Sequence, residues 1–396
     1  MNEITTKRAD WPPVEYESQT WAGDDQPHFS RRQQLQARGP YLAAVPPLIA
    51  KLHPALPNEL LAEIEDATTT LARFDFEVGT FTAPFASILL RSESASSSEV
   101  ENLTVSAKQL ALAELGAQTA NNAKIVVDNV AAMAAALQLA DDLSGQSIIE
   151  MHRALLERTR PEICGAWRDR PVWIGGNSPH SAEYVGPASE RVSGLIADLE
   201  AFMRRTDLPI LAQVAIAHAQ FETIHPFEDG NGRTGRALVQ SLLRHTGLTT
   251  NTAVPVSAGL LHDTNRYFAA LDAYRDGDIL PIIRAFTEAT FRAVGNGSTL
   301  VTELQKISQG WADNVKVRAD SAAAKILNLL IEQPAFTQPL MQKRLGVSAQ
   351  AIFAAIESLV AAGVLKQLNA NRRNRVWVAE EVIVALDNFA ARARRK

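Results

Sequence analysis

One cysteine, Cys164, stands in a chain of 396 residues. That excludes an intramolecular disulfide and any cysteine-rich zinc site, and it fits a reducing compartment. No run of about 18 apolar residues occurs, so no membrane-spanning helix is expected. The opening "MNEITTKRADWPPVEYE" lacks the apolar core of a signal peptide, and the cytoplasm is the expected location. Basic excess is missing too. The net charge is −5, so any attraction to nucleic acid or to an anionic membrane must be local. No internal repeat is visible. What remains is an ordinary composition, 46% hydrophobic, and a length that suits two or three domains.

Residues 1–40 are polar and rich in Pro, Gln and Arg, and read as an extended N-terminal segment. Ordered structure is expected from "YLAAVPPLIAKL" onward. "PNELLAEIEDATTTLARFD" places Leu60, Leu61, Ile64, Ala67 and Leu71 at helical spacing. In "RSESASSSEVEN" the serines ahead of acids read as helix N-terminal chemistry. Two more helices follow, "NNAKIVVDNVAAMAAALQLA" and "GQSIIEMHRALLERT". "AWRDRPVWIGG" and "SAEYVGP" are short, aromatic and β-branched, bounded by Gly and Pro, which predicts a β-hairpin inside a helical protein.

Helices resume with "SERVSGLIADLEAFMRR", with "PILAQVAIAHAQFETI", whose Pro209 suits a first turn, and with "GRALVQSLLRHTG", ended by Gly247. "NRYFAALDAYRDGDILPIIRAFTEATFRAV" supplies one or two more. "GNGST", 295–299, reads as a local break before helix resumes to about Asn314. From Asp320 come "SAAAKILNLLIEQ", then "TQPLMQKRLG" and "SAQAIFAAIESLVAAG" joined at Gly346, then two strands around the basic tip "NANRRNR". Helix, helix–turn–helix and wing in that order predict a winged helix. The expected fold is mainly α: a helical core with a β-hairpin and a small C-terminal winged helix-turn-helix domain. The expected divisions are 1–40, a helical region 41–120, a core 121–295, a helical linker 296–319, and 320–396 with a basic tail.

The richest chemistry lies in "HPFEDGNGRTGR", His225 to Arg236. One helix is expected to end near Thr223 and another to begin near Gly232 to Thr234. The loop therefore sits at a helix N-terminus, where backbone N–H groups and the dipole favour an anion. Gly230, Gly232 and Gly235 lack Cβ atoms, so a phosphate can approach the backbone. Arg233 and Arg236 add permanent charge with forked donors. Asp229 is the magnesium ligand in reach, and His225 is the one group that takes a proton near neutrality. These parts make a polyphosphate site with a metal and a base, suited to moving part of a nucleotide onto a hydroxyl.

Other readings fit less well. A P-loop needs Lys and Ser/Thr where Arg236 and Ala237 stand, and a preceding strand. A calcium loop lacks its closing glutamate. Zinc on His218 and His225 lacks a third ligand. A plain polar turn does not account for two arginines three residues apart beside His and Asp.

"HPFEDGNGRTGR" resembles the Fic family motif HPFx(D/E)GNGRxxR at every defining position. "AWRDRPVWIGG…SAEYVGP" resembles the family's flap hairpin, which docks the target by strand pairing. "NRYFAALDAYRDGD", with Tyr267, resembles the segment that helps enclose the nucleotide, though core packing of Tyr267 is equally open. The resemblance spans about residues 40–380. It implies transfer of AMP from ATP to a Ser, Thr or Tyr hydroxyl of a protein. His225 is then the base and Asp229 the magnesium ligand. ATP is held by Phe227, Glu228, Gly230, Asn231, Gly232 and Arg233, with Arg236 on the γ-phosphate. The intact "GNG" argues against the branch that transfers phosphate itself.

"SSEVEN" resembles the family's inhibitory motif (S/T)xxxE(G/N) through Ser97, Glu101 and Asn102. The resemblance implies that Glu101 pairs with Arg236 in place of the γ-phosphate. Elsewhere, Cys164 reads as a small packed residue and His152 as structural. His180 reads as target contact or plain surface. The helix "SAQAIFAAIESLVAAG" carries few basic residues, while "NANRRNR" and "ARARRK" are basic, so DNA binding, protein interaction and homodimerisation all stay open. The leading reading is an autoinhibited protein adenylyltransferase that acts on an unidentified protein and on itself. The alternative is a DNA-binding transcriptional regulator that uses its core as a nucleotide sensor. Transfer of another nucleotide or phosphate-bearing group is also open.

Overall fold

Alternating and helical apolar spacings divide the described residues into many helices and three small sheets. A computed structural model describes residues 11–21, 39–81, 85–117, 120–368 and 375–395. Its elements in chain order are β1 (Glu15–Thr20), β2 (Pro40–Val45), α1 (Asn58–Gly79), α2 (Phe85–Val100), α3 (Ala107–Glu114), α4 (Asn121–Gln138) and α5 (Gly145–Leu156). Then come β3 (Trp173–Ile174), β4 (Tyr184–Val185), α6 (Ser189–Met203), α7 (Ile210–Ile224), α8 (Asn231–His245), α9 (Val256–Leu260), α10 (Thr264–Arg275) and α11 (Leu280–Asn314). The remainder is α12 (Ala322–Leu330), β5 (Ala335–Thr337), α13 (Gln338–Leu345), α14 (Ala349–Ala361), β6 (Lys366–Gln367), β7 (Val376–Val378) and α15 (Glu380–Arg394). The fold is mainly α. Among the described residues no single helix is long and apolar enough to cross a membrane.

Two compact units emerge. One takes the described residues up to Thr68, Ala132–Leu248 and Asp263–Glu288; the other takes Thr69–Ala131, Thr249–His262 and Ala289 onward. These units do not follow the divisions expected along the sequence, because segments far apart in the chain pack together.

In the first unit α7 is the central helix. Every residue from Leu211 to Ile224 is buried, so it has no solvent face and must be enclosed all round. It packs against α6, α8 and α10. A capping box at Ser144 and Ser147 starts α5. β3 pairs antiparallel with β4, Trp173 opposite Val185, forming the expected hairpin. One expectation needs correction here. Ordered structure does not begin at Tyr41, since β1 pairs with β2 from Glu15↔Val45 to Thr20↔Pro40. Tyr41, Ala43 and Val185 are buried together with Trp21 and Trp173 against them, so apolar burial holds the described residues 11–21 that the polar composition disguised.

In the second unit, α2 corrects the reading of the serines. They lie within its body and last turns, not at its N-terminus. Ser94 Oγ donates to the Leu90 carbonyl (2.8 Å) and Ser98 Oγ to the Ser94 carbonyl (3.0 Å). Hydroxyls that bond back four residues need no water and can be buried. "GNGST" is not a break, because α11 runs through it from Leu280 to Asn314. A Cβ on Gly297 would lie 2.8 Å from Phe74 Cζ, so that glycine admits a neighbouring ring rather than ending a helix.

The C-terminal elements run helix, strand, helix, helix, strand, strand, with sheet order β5-β7-β6. β5 was not foreseen, and six of the seven residues of the expected basic tip, 369–374, lie outside the described residues. The expected basic tail is corrected as well: it is the end of α15, which buries Val382, Ile383, Phe389 and Ala393. Arg392 pairs with Glu303 (2.9 Å) and Arg394 with Glu99 (2.9 Å from Nη2).

Asp75, 3% exposed, closes the loop before α9. Its carboxylate accepts the N–H groups of Thr250 (2.8 Å), Asn251 (3.0 Å) and Thr252 (2.9 Å). Removing it strands the buried N–H of Thr252, at a cost of about 1–3 kcal/mol, and loosens the part-buried ones of Thr250 and Asn251. Asp75→Ala is expected to lower the melting temperature by several degrees; an unchanged melting curve contradicts this role.

Candidate active site

α7 ends at Ile224 and α8 begins at Asn231, so the motif is a turn between two packed helices. His225 makes the turn. It is the left-handed C-cap of α7, with φ 50° and ψ 61°, and its N–H donates to the Phe221 carbonyl (2.9 Å). Among the described residues only Asn102 and His225 are non-glycine with positive φ. Such a conformation costs on the order of 1–3 kcal/mol and points to a function where it persists.

The ring of His225 is set by chemistry. Nδ1 lies 3.3 Å from the Glu222 carbonyl oxygen. A carbonyl only accepts, so Nδ1 carries the hydrogen and Nε2 of the neutral ring keeps its lone pair. Burial pushes the His225 pKa down to about 4, with Arg275 and Arg168 adding to the effect and Glu222 and Asp229 opposing it. The ring is therefore neutral at pH 7, a proton acceptor.

The loop after it is braced from within. Asn231 Oδ1 accepts from Phe227 N and its Nδ2 donates to the Phe227 carbonyl, both at 2.9 Å. Phe227 is fully buried; its ring stacks on His152 at 3.7 Å and leans on Trp167. Gly165 N–H donates to His152 Nδ1 (3.3 Å), so Nε2–H donates to the Asp229 carbonyl (3.1 Å). Burial holds the His152 pKa at about 4. The structural reading of His152 thus gains content: it fixes the main chain of Asp229.

The twelve residues serve different ends. Asp229 has a side chain 47% exposed. Its Oδ1 accepts from Gly230 N–H at 2.6 Å and lies 3.7 Å from Arg233 Nη2. Its Oδ2 lies 3.7 Å from Arg160 Nη1. Arg233 and Arg236 are 5% and 3% exposed, so neither is a loose surface cation. Glu228 faces Arg170 at 3.4 Å. Gly230 has φ 77° at the N-cap of α8.

Two expectations need correction. A Cβ on Gly235 would meet Glu222 Oε1 at 2.5 Å and Phe221 Cδ1 at 2.9 Å, so this glycine lets α8 approach α7 and is not kept for a phosphate. Phe227 commits its ring, its N–H and its carbonyl to the loop's own structure, and Asn231 commits its side chain, which leaves the Asn231 main chain for any ligand. Tyr267 is 2% exposed and meets His218 Nε2 through its hydroxyl at 2.7 Å, a core placement.

The inhibitory-type motif belongs to the other unit. Ser97 is fully buried in the last turn of α2. Glu101 follows the helix directly, half-buried. Asn102 has φ 63°; its N–H donates to the Glu99 carbonyl (2.8 Å) and that of Leu103 to the Ser98 carbonyl (3.1 Å). This is a left-handed helix cap, which Gly and Asn adopt most easily. The G/N at the motif's end is thereby explained.

Among the described residues no cluster of three or more His, Cys, Asp or Glu is placed to hold a metal. A half-exposed single carboxylate at Asp229 fits an ion that takes one or two carboxylates and completes its shell with water and substrate phosphates. Sequence reading missed Arg168 altogether, taking it only as part of the hairpin. Its neighbours Asp169 and Arg170 are charged too, so the sequence did not mark it as a buried cation.

His152 and His218 are buried, with pKa values held down to about 4 and about 3, in both cases chiefly by burial. Their unfolded value is near 6.5. The unfolded chain therefore binds more protons below pH 6.5, and stability falls as pH drops from 6.5 towards 4. Each group costs up to about 2 kcal/mol by pH 5. The melting temperature is expected to fall steadily from pH 7 to pH 5; a flat profile is incompatible with neutral burial of these rings.

Comparison with known proteins agrees with this geometry. Residues 142–243 match the Fic/DOC family, and residues 61–138 match the family's N-terminal region. The protein adenylyltransferase fic-1 of Caenorhabditis elegans is 33% identical over 144 residues, covering 36% of this chain and 26% of that protein. The protein adenylyltransferase Fic of Culex quinquefasciatus is 29% identical over 154 residues, covering 39% and 29%. The chain thus spans under a third of the length of these two relatives. The crystal structure of a Fic family protein from Desulfovibrio desulfuricans G20 shares the fold, with a TM-score of 0.52 at 20% identity over 82% of this chain and 97% of that one. The two family matches lie side by side in the chain, the N-terminal region over 61–138 and the Fic/DOC region over 142–243.

Proposed function

We propose that the protein is an adenylyltransferase that moves AMP from ATP onto a hydroxyl of a protein, itself included. The observation that carries this is His225, held neutral with its Nε2 lone pair available, at the mouth of a helix N-terminus flanked by Arg233 and Arg236. The target hydroxyl oxygen bonds to the α-phosphorus as the bond from that phosphorus to the bridging oxygen breaks. Pyrophosphate leaves with the bond's electron pair, and the hydroxyl proton passes to His225 Nε2. Such a transfer depends on placement and charge neutralisation more than on covalent chemistry. The first-turn N–H groups of α8 and the two arginines would bear the phosphate charge. Asp229 would hold magnesium, which supplies further neutralisation of the phosphate oxygens when bound.

Two more readings belong to this proposal. Ala322–Val378 is a winged helix by the order of its elements. Glu101 restrains the transferase, on the strength of the Ser97–Glu101–Asn102 pattern and its helix-cap setting. The names of the matched relatives point to the same activity.

His225→Ala is expected to lower self-labelling from α-labelled ATP by roughly 10²–10⁴-fold, with circular dichroism unchanged. Labelling that survives the change removes His225 as the base. Glu101→Gly is expected to raise self-labelling; equal activity in the variant and the parent places any restraint elsewhere.

A further inference from the structure

Arg168 is only 4% exposed. Its side chain makes four hydrogen bonds, all to main-chain carbonyls. Nε donates to His225 (2.8 Å) and Nη1 to Arg170 (3.1 Å). Nη2 donates to Pro187 (2.6 Å) and Ile224 (3.4 Å). Its own N–H donates to the Pro226 carbonyl (3.0 Å).

These acceptors fall into two groups. Ile224, His225 and Pro226 form the turn that carries the base. Arg170 comes just before β3 and Pro187 just after β4, so their carbonyls mark the two roots of the hairpin. The last carbonyls of any helix lack intrahelical partners; at the end of α7 the guanidinium donates to that of Ile224, and Tyr184 Oη of β4 to that of Thr223 (2.6 Å). A planar fork reaches such acceptors at fixed angles, which a lysine ammonium cannot copy. Burying a cation among neutral carbonyls is unfavourable for folding, and burial lowers the Arg168 pKa to about 10. The neighbourhood is fitted to it. A Cβ on Gly186 would lie 3.1 Å from Arg168 Nη2.

We propose that Arg168 is a positioning residue: it locks the left-handed turn at His225 to both roots of the β3–β4 hairpin, so that a hydroxyl presented on the hairpin meets the Nε2 lone pair. This rests on the reading of His225 as the base. Arg168 touches no reacting atom. It acts through the main chain of the residue that does.

The test uses the full chain carrying Glu101→Gly, with and without Arg168→Met, Arg168→Lys or Gly186→Ala. Four quantities are measured: melting temperature, ATP affinity by calorimetry, self-labelling rate at saturating ATP, and the His225 tautomer from ring ¹⁵N shifts. Arg168→Met is expected to keep ATP affinity within about threefold, to lower the saturated rate by about 100-fold, and to lose the fixed Nδ1–H tautomer. Arg168→Lys is expected to fall between parent and Met. Gly186→Ala, which crowds the guanidinium and leaves its charge, is expected to lower the rate several-fold.

A Met variant within about threefold of the parent rate, or with an unchanged tautomer, overturns the proposal. So does a loss of ATP affinity in step with the rate, which marks a merely structural part. Should Arg168→Met fail to fold, Arg168→Lys decides: parental rate and tautomer refute the proposal, and a slowed rate at parental affinity supports it. Should the parent itself not label, the adenylyl-transfer reading fails, and the tautomer of His225 in the variants still tests the lock.

Discussion

The first unit depends on one reversal of the chain: a histidine held in a left-handed conformation at the end of a helix that has no exposed face. Because α7 is buried from Leu211 to Ile224, the chain can leave it only by a sharp turn. Because the residue that turns is His225, its main chain and ring are both drawn into hydrogen bonds with carbonyls. Glu222 takes the ring hydrogen, and Arg168 takes the carbonyl. The geometry of His225 follows from the geometry of the helix end and from the guanidinium that braces it.

Two buried basic side chains in this unit are held by main-chain atoms. Arg168 is held by backbone carbonyls, and His152 sits between a backbone N–H and a backbone carbonyl. Buried cations and neutral imidazoles are unfavourable for folding. What they give in return is a cluster already ordered, with less reorganisation left for the binding of any ligand. Asp229 differs in kind. Its carboxylate stays half-exposed while its main chain is fixed by His152, which suits a ligand for an ion that enters with substrate.

Much was legible along the chain. The helices α1, α4, α5, α6, α7 and α8 follow from apolar spacing, and the hairpin follows from aromatic and β-branched residues between Gly and Pro. The twelve-residue motif reads as a turn between two helices, and the structure places it between α7 and α8. Misreadings arose where one residue type serves two physical ends. Serine caps helices, yet it also bonds back within them, as in α2. Glycine admits a phosphate, yet it also admits a neighbouring helix at Gly235 or a ring at Gly297. Arginine in a terminal run reads as a tail for DNA, yet Arg392 and Arg394 pair with glutamates on an ordered helix.

The sequence by itself determined the mainly helical class, the hairpin, and the identity of the groups that can bind phosphate, hold an ion or take a proton. Those are properties of residue types and of local spacing. Only the tertiary structure decided which nitrogen of His225 carries the hydrogen, that Gly235 faces a neighbouring helix, and that Arg168 ties the hairpin to the turn. The first depends on a left-handed turn at one residue and the last on atoms 57 positions apart in the chain, and local pattern encodes neither.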